Sequence, residues 1–116
     1  MKMKIVNLTP HALNIRQNNG LLLSVEPSGI VARCQTTKRV VDWLTDDLHP
    51  DDVPHIQVRK TEYGAVEGIP AEESGTIYVT SMLAAQAARR GDVLFPGEAI
   101  RDANGNIVGC DGLSKF

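Results

Sequence analysis

The most suggestive chemistry in this sequence lies where a strand-like run meets a helix-like run, at Thr80 and Ser81. A helix N-terminus carries unpaired N–H groups and a positive partial charge, so it can hold a phosphate or a carboxylate. The Ser81 hydroxyl could add a donor. The plainer interpretation is that Ser81 only caps the helix, which is the common role of serine at this position. The GxSxG turn of serine hydrolases and the GxxxxGK[ST] and GxGxxG loops of nucleotide folds do not occur.

Three arginines, Arg33, Arg59 and Arg101, each fall within or at the end of a strand-like run. The guanidinium is a rigid fork that suits phosphate. Pairing with a carboxylate such as Glu67 or Glu98 is the alternative for each of them. If all three converged on the start of the helix, they would form an anion site.

A cluster of acidic residues is the next candidate, because hard divalent cations bind carboxylate oxygens. Its spacing fits no EF-hand, and solvated loop carboxylates are the commoner meaning of such a run. The residues are Asp46, Asp47, Asp51 and Asp52, with His49 and His55 nearby. We therefore predict no metal and no cofactor.

The two cysteines, Cys34 and Cys110, form no CxxC pair. Either of them with His11 could make a thiolate–imidazole pair. A free cysteine is more often a small buried hydrophobe. We therefore predict free thiols and no catalytic residue.

The elements that would position these residues are mostly strands, since eleven Val and eight Ile stand beside one good helical stretch. We predict an α+β fold, an antiparallel, β-rich single domain over 1–116 with one main helix at about 81–90. Asn18-Asn19-Gly20 and Asn104-Gly105 indicate hairpin turns, and Pro96-Gly97 is expected to end a strand. The first third of the chain is expected to be an antiparallel meander. Residues 36–54 are compatible with either a short helix or a buried strand.

Composition excludes several classes of protein. The chain has 116 residues and a net charge of −2, which argues against binding to nucleic acid by a strongly basic surface. Aromatic residues make up 4%, too few for a stacking platform along a single strand. Neither a secretory signal nor a run of about 18 apolar residues is present, so we expect a cytoplasmic protein without a membrane span. A domain of this size has a small core, so we expect a homo-oligomer.

Several segments resemble a family of small, uncharacterised bacterial and phage proteins. They cover about half of the chain and are spread over its length, while residues 40–53 depart from the family pattern. They are Asn7-Leu8-Thr9-Pro10-His11, Glu26-Pro27-Ser28-Gly29 with Ala32-Arg33, 64–70, 75–79 with 85–87, and 96–102 with 109–110. The resemblance implies a phage or prophage context and no established activity.

Phage proteins of this size include sponges, which bind the nucleotide signals of bacterial immunity and withhold them. This analogy of context leads to our main hypothesis, a non-enzymatic, anti-defence sponge for a small anionic, nucleotide-like ligand. The residues predicted to bind it are Arg33, Arg59 and Arg101 for phosphate, Ser81 for an anion, Asn7, Thr9, His11 and Gln86 for base or ribose, and Tyr78 as an aromatic face. One alternative is a small hydrolase or lyase that uses His11. Another is an interaction protein that inhibits a host protein through the acidic segment around Trp43.

Overall fold

The computed structural model describes residues 2–48 and 51–116. The strands form two separate sheets. The six-stranded sheet and the helix are called the body here, and the two-stranded hairpin is called the arm. The strands are β1 Lys4–Asn7, β2 Leu13–Arg16, β3 Leu22–Val25, β4 Arg33–Leu44, β5 Ile56–Glu67, β6 Thr76–Val79, β7 Val93–Arg101 and β8 Ile107–Ser114, and the helix α1 is Met82–Ala88. The chain is thus β-rich with a single short helix in the described part, as predicted.

The strand pairing of the body differs from the predicted antiparallel arrangement. The order is β1-β6-β7-β8-β2-β3, and the β1–β6, β6–β7 and β2–β8 pairs are parallel. The β2–β3 and β7–β8 hairpins are antiparallel, as their turn residues predict. The expected meander is therefore wrong beyond its first hairpin, because β1 pairs with a strand some 70 residues later in the sequence.

The two edges of the six-stranded sheet come together at Asn7, so that the sheet nearly closes on itself. Asn7 forms a parallel bridge with Pro27, just after β3, and its carbonyl accepts the N–H of Ser28 at 3.0 Å. Its side-chain amide donates to the carbonyl of Val25 at 3.0 Å. An asparagine at the end of β1 therefore links the first and last strands of the sheet.

A small core lies between this sheet and α1. Leu8, Tyr78, Ala84, Ala85 and Val93 are buried there. Ala84 and Ala85 let the helix approach the sheet closely, since their side chains are small. None of the helices in the described residues is long and apolar enough to cross a membrane.

Strand β7 runs through Pro96-Gly97, where the sequence predicted that a strand would end. Pro96 lies opposite Leu113 of β8. A Cβ atom at Gly97 would lie 2.1 Å from the carbonyl oxygen of Asp111. Glycine is therefore needed here so that β8 can come close, and not to terminate β7.

The arm extends away from the body as a long antiparallel ribbon. Its two strands have 12 residues each, which corresponds to about 40 Å. The radius of gyration is 19.4 Å, well above the roughly 13 Å of a compact chain of this length. Most of the arm is exposed, so residues 36–48 of the uncertain segment form neither a helix nor a buried strand; they belong to an exposed strand and the turn after it.

Candidate functional site

Asn7 and Thr9, two of the predicted ligand-binding residues, form a local hydrogen-bond network. Asn7 is 1% exposed; its amide donates to the carbonyls of His11 and Val25 at 2.7 and 3.0 Å. Its side-chain oxygen accepts from the N–H and hydroxyl of Thr9 at 2.9 and 2.6 Å. All the hydrogen-bonding capacity of the Asn7 side chain is thereby used within the protein. The imidazole of His11 lies on an exposed residue beside this network.

The strand-to-helix junction is also occupied by internal contacts. The Ser81 hydroxyl accepts the N–H of Ala84 at 3.3 Å, as an N-cap does. Tyr78 is 3% exposed, and its hydroxyl donates to the carbonyl of Ala71 at 3.1 Å. Because α1 has seven residues, its dipole is short. The plainer interpretation of Ser81, a cap, is the one that this geometry supports.

The three predicted arginines lie apart from one another in one copy of the chain. Arg33 is opposite Glu67 at the root of the arm, and Arg59 is eight residues further along β5, which corresponds to about 26 Å. The guanidinium of Arg59 donates to the side chain of Gln57 at 2.6 and 3.0 Å. Arg101 lies in the β7–β8 hairpin and donates to the carbonyl of Gly105 at 2.8 Å. The convergence that an anion site built from these three arginines would require does not occur within one copy.

A cleft of about 510 Å³ lies between the root of the arm and α1. This volume is in the usual range for small-molecule sites. The lining residues are Tyr63 and Gly64 from β5, Leu83, Gln86 and Ala87 from α1, and Arg89 at the end of the helix. Gln86 is the one residue of the predicted set that reaches this cleft, and Tyr63 and Arg89 were missed as ligand contacts.

Arg89 has an unusual backbone conformation at the edge of the cleft. It ends α1 in the left-handed region, with φ 52° and ψ 41°, and its N–H donates to the carbonyl of Ala85. Among the described residues it is the only one other than glycine with a positive φ. Glycine is strongly preferred at such a helix end, whereas the sequence has its glycine two residues later, at Gly91. The side chain of Arg89 is exposed and forms no ion pair within the described part of the chain.

The neighbouring Arg90 has a different role. Its guanidinium forms a two-point contact with the carboxylate of Asp92, at 3.0 and 2.6 Å, and donates to the carbonyl of Pro70 at 2.8 Å. The hydrogen bond from Arg90 lowers the pKa of Asp92, and the same bond raises the pKa of Arg90. Arg90 therefore fixes the loop before β6 to the end of the helix and is not available to a ligand.

The cysteine and acidic candidates gain no support from the structure. Cys110 is buried, and this burial raises the pKa of its thiol, which disfavours a thiolate. Cys34 is a free thiol at the root of the arm. Within residues 2–48 and 51–116, no three His, Cys, Asp or Glu side chains are grouped to hold a metal ion. The prediction for His49 lies outside the described residues.

Comparison of the chain with known families, curated proteins and solved structures gives no match. The resemblance to small phage and bacterial proteins therefore stays a prediction.

Proposed function

We propose that this protein is a non-enzymatic binding protein that takes up a small phosphorylated, nucleotide-like ligand in the cleft between the arm and α1. The observation that carries the proposal is the combination of Tyr63, Gln86 and Arg89 along one cleft of about 510 Å³. Sequestration of a bacterial immune signal is the role that the analogy with phage sponge proteins of this size would give to such binding.

Each of the three side chains suits one part of a nucleotide. The ring of Tyr63 is 55% exposed, and an aromatic face can stack on a base, which contributes about 1–3 kcal/mol. The amide of Gln86 offers both a donor and an acceptor to a base edge. The guanidinium of Arg89 can form two parallel hydrogen bonds to a phosphate.

The contacts of the other predicted residues support a ligand site in the cleft and not at those residues. Asn7, Ser81 and Tyr78 already bond to the protein's own backbone. An aromatic residue near the ligand was expected at Tyr78, and Tyr63 takes its place in the proposal.

Titration calorimetry with cyclic ADP-ribose, ADP-ribose and AMP tests the proposal. We expect one of these probes to bind, and the bound molecule to be released unchanged when the protein is heated. Absence of binding by all three would contradict the proposed ligand class. An altered product in the released fraction would favour the hydrolase or lyase alternative, and His11→Ala would then show whether His11 takes part.

Two arginine variants locate the site. Arg89→Gly removes the guanidinium and suits the left-handed backbone, so we expect binding to weaken about 10-fold or more while the fold is retained or stabilised. Arg101→Ala, at an exposed arginine outside the cleft, is the matched control and should leave binding unchanged. If Arg101→Ala abolishes binding and Arg89→Gly does not, the ligand binds elsewhere.

A further inference from the structure

The distal part of the arm carries exposed apolar residues that no other element of the described chain covers. Trp43, Leu44, Val53 and Ile56 are 48%, 48%, 62% and 41% exposed. A two-stranded hairpin is marginally stable on its own in water, and it needs further strands or a packed layer to become stable. The arm has neither beyond its root, so the structure leaves a surface that requires a partner.

Charge is distributed along the arm in two blocks of opposite sign. The basic band consists of Lys38, Arg39, Arg59 and Lys60, in the middle of the ribbon. The acidic tip consists of Asp46, Asp47, Asp51 and Asp52, at its far end, where Asp46 also lies 3.3 Å from the imidazole of His55. Each block would attract the other if two arms lay side by side in opposite directions.

Repulsion between like charges in the basic band also destabilises the hairpin of a single copy. Arg39 lies directly opposite Lys60 in the strand register, and like charges in that position destabilise a hairpin. Of the four cations, only Arg39 has an ion pair in the described structure, with Glu62 at 2.8 Å. A local conflict of this kind is relieved when carboxylates from outside the hairpin approach the band.

We propose that the arm binds the arm of a second copy of this chain, antiparallel and about a two-fold axis. Twofold symmetry makes the surface self-complementary, because the tip of each copy then lies beside the basic band of the other. Leu44 and Ile56, which lie opposite each other in the register and so share one face of the ribbon, would be covered in the same contact. This surface is separate from the cleft, and the proposal does not rest on the ligand.

Analytical ultracentrifugation of the full chain over a wide dilution range tests the association. We expect a dimer, and we expect it to dissociate as the salt concentration is raised, because salt screens exposed charges. Charge reversal of the band (Lys38→Glu with Lys60→Glu) or of the tip (Asp47→Lys with Asp52→Lys) should each raise the dissociation constant about 10-fold. All four changes in one chain should restore association. Lys115→Glu, an exposed lysine outside the arm, is the control and should have no effect.

Cross-linking tests the antiparallel direction. In a Cys34→Ser background, Asp47→Cys at the tip and Thr61→Cys beside the band are treated with a short bis-maleimide. We expect a cross-linked dimer when the two variants are mixed and little when Asp47→Cys is alone. Efficient linking of tip to tip would overturn the antiparallel arrangement. A chain that stays monomeric at all concentrations, with strand content unchanged by circular dichroism, would overturn the proposal and leave the arm to a different protein, such as a host target.

Discussion

The body and the arm use similar residues in opposite surroundings. In the body, Leu8, Val79 and Val93 are at most 2% exposed, and strands far apart in the sequence pair with one another. In the arm, Val40, Val41 and Leu44 are 42–48% exposed, and each strand has only its hairpin partner. Strand formation and core formation are therefore separate properties of this sequence: the strands of the body bury a core, and those of the arm leave their apolar side chains at the surface.

The closure of the body at Asn7 is expected to contribute strongly to the free energy of unfolding. Asn7→Ala removes the hydrogen bonds that this buried side chain makes to His11, Val25 and Thr9. We expect the free energy of unfolding to fall by about 3 kcal/mol in chemical denaturation. Asn14→Ala, whose amide makes one long contact of 3.5 Å at the surface, is the control. Equal losses in the two variants would mean that Asn7 does not close the sheet.

The next effect concerns the pair of Arg90 and Asp92. The folded pKa of Asp92 is lowered, so its ionisation stabilises the protein above the unfolded value of about 3.9, and this share is lost as the pH falls through the folded pKa. Asp92→Asn should reduce stability at pH 7 by about 1.5 kcal/mol. Chemical denaturation at pH 7 measures the loss in the variant, and a second measurement at acidic pH gives the change of stability with pH. On acidification, the variant should lose less stability than the wild type. An identical acid response in the two proteins would contradict the role of Asp92.

A smaller effect, of opposite sign, is expected at Thr80. This residue is fully buried, and its hydroxyl has no hydrogen-bond partner in the described part of the chain. Thr80→Val keeps the shape and removes the unpaired hydroxyl, so stability should stay equal or rise by up to about 1 kcal/mol. Thr80→Ser, which keeps the hydroxyl and loses a methyl group, should be less stable than the wild type. A large loss in Thr80→Val would show that the hydroxyl has a partner after all.

The smallest effect on stability is expected in the arm. Trp43→Ser, measured in dilute protein, should change the free energy of unfolding of the body by less than about 0.5 kcal/mol, since the side chain is half exposed. The same substitution at Val93, fully within the core, serves as the contrast and should be strongly destabilising. A comparable loss for Trp43→Ser would show that the arm and the body unfold as one unit with shared packing.

Local features of the structure followed closely from the sequence. The β-rich content, the single helix (predicted at about 81–90, observed at Met82–Ala88) and the hairpin turn at Asn18-Asn19-Gly20 all agree with the prediction. The Asn-Gly turn between β7 and β8 was confirmed as well. These elements depend on alternating hydrophobicity and turn residues, which act over short distances.

The features that were not predicted depend on distant partners. Whether β1 pairs with β3 or β6 is decided by contacts across some 70 residues, which no local pattern records. The apolar residues Val40, Val41, Trp43 and Leu44 are compatible by pattern with a short helix or a buried strand. In the structure they lie on an exposed strand, because nothing in the described chain buries them. The predicted helix of about 81–90 includes Arg89, whereas the observed helix ends at Ala88 and Arg89 is its left-handed cap. The cleft forms between β5 and α1, which are distant in the sequence, so no local pattern indicates it.

The ends of the arm have a consequence for how this chain can be altered. Arg33 and Glu67 face each other across the ribbon, at the roughly 5 Å separation of paired strands. The backbone therefore leaves the body and returns to it at almost the same point. At the root of the arm, Val66 still packs against the core. Beyond the Thr37–Glu62 pair, the 24 residues 38–61 are for the body an insertion that a tight turn could replace. The distal hairpin can therefore be shortened, or replaced by another hairpin, while the strands of the body keep their connections.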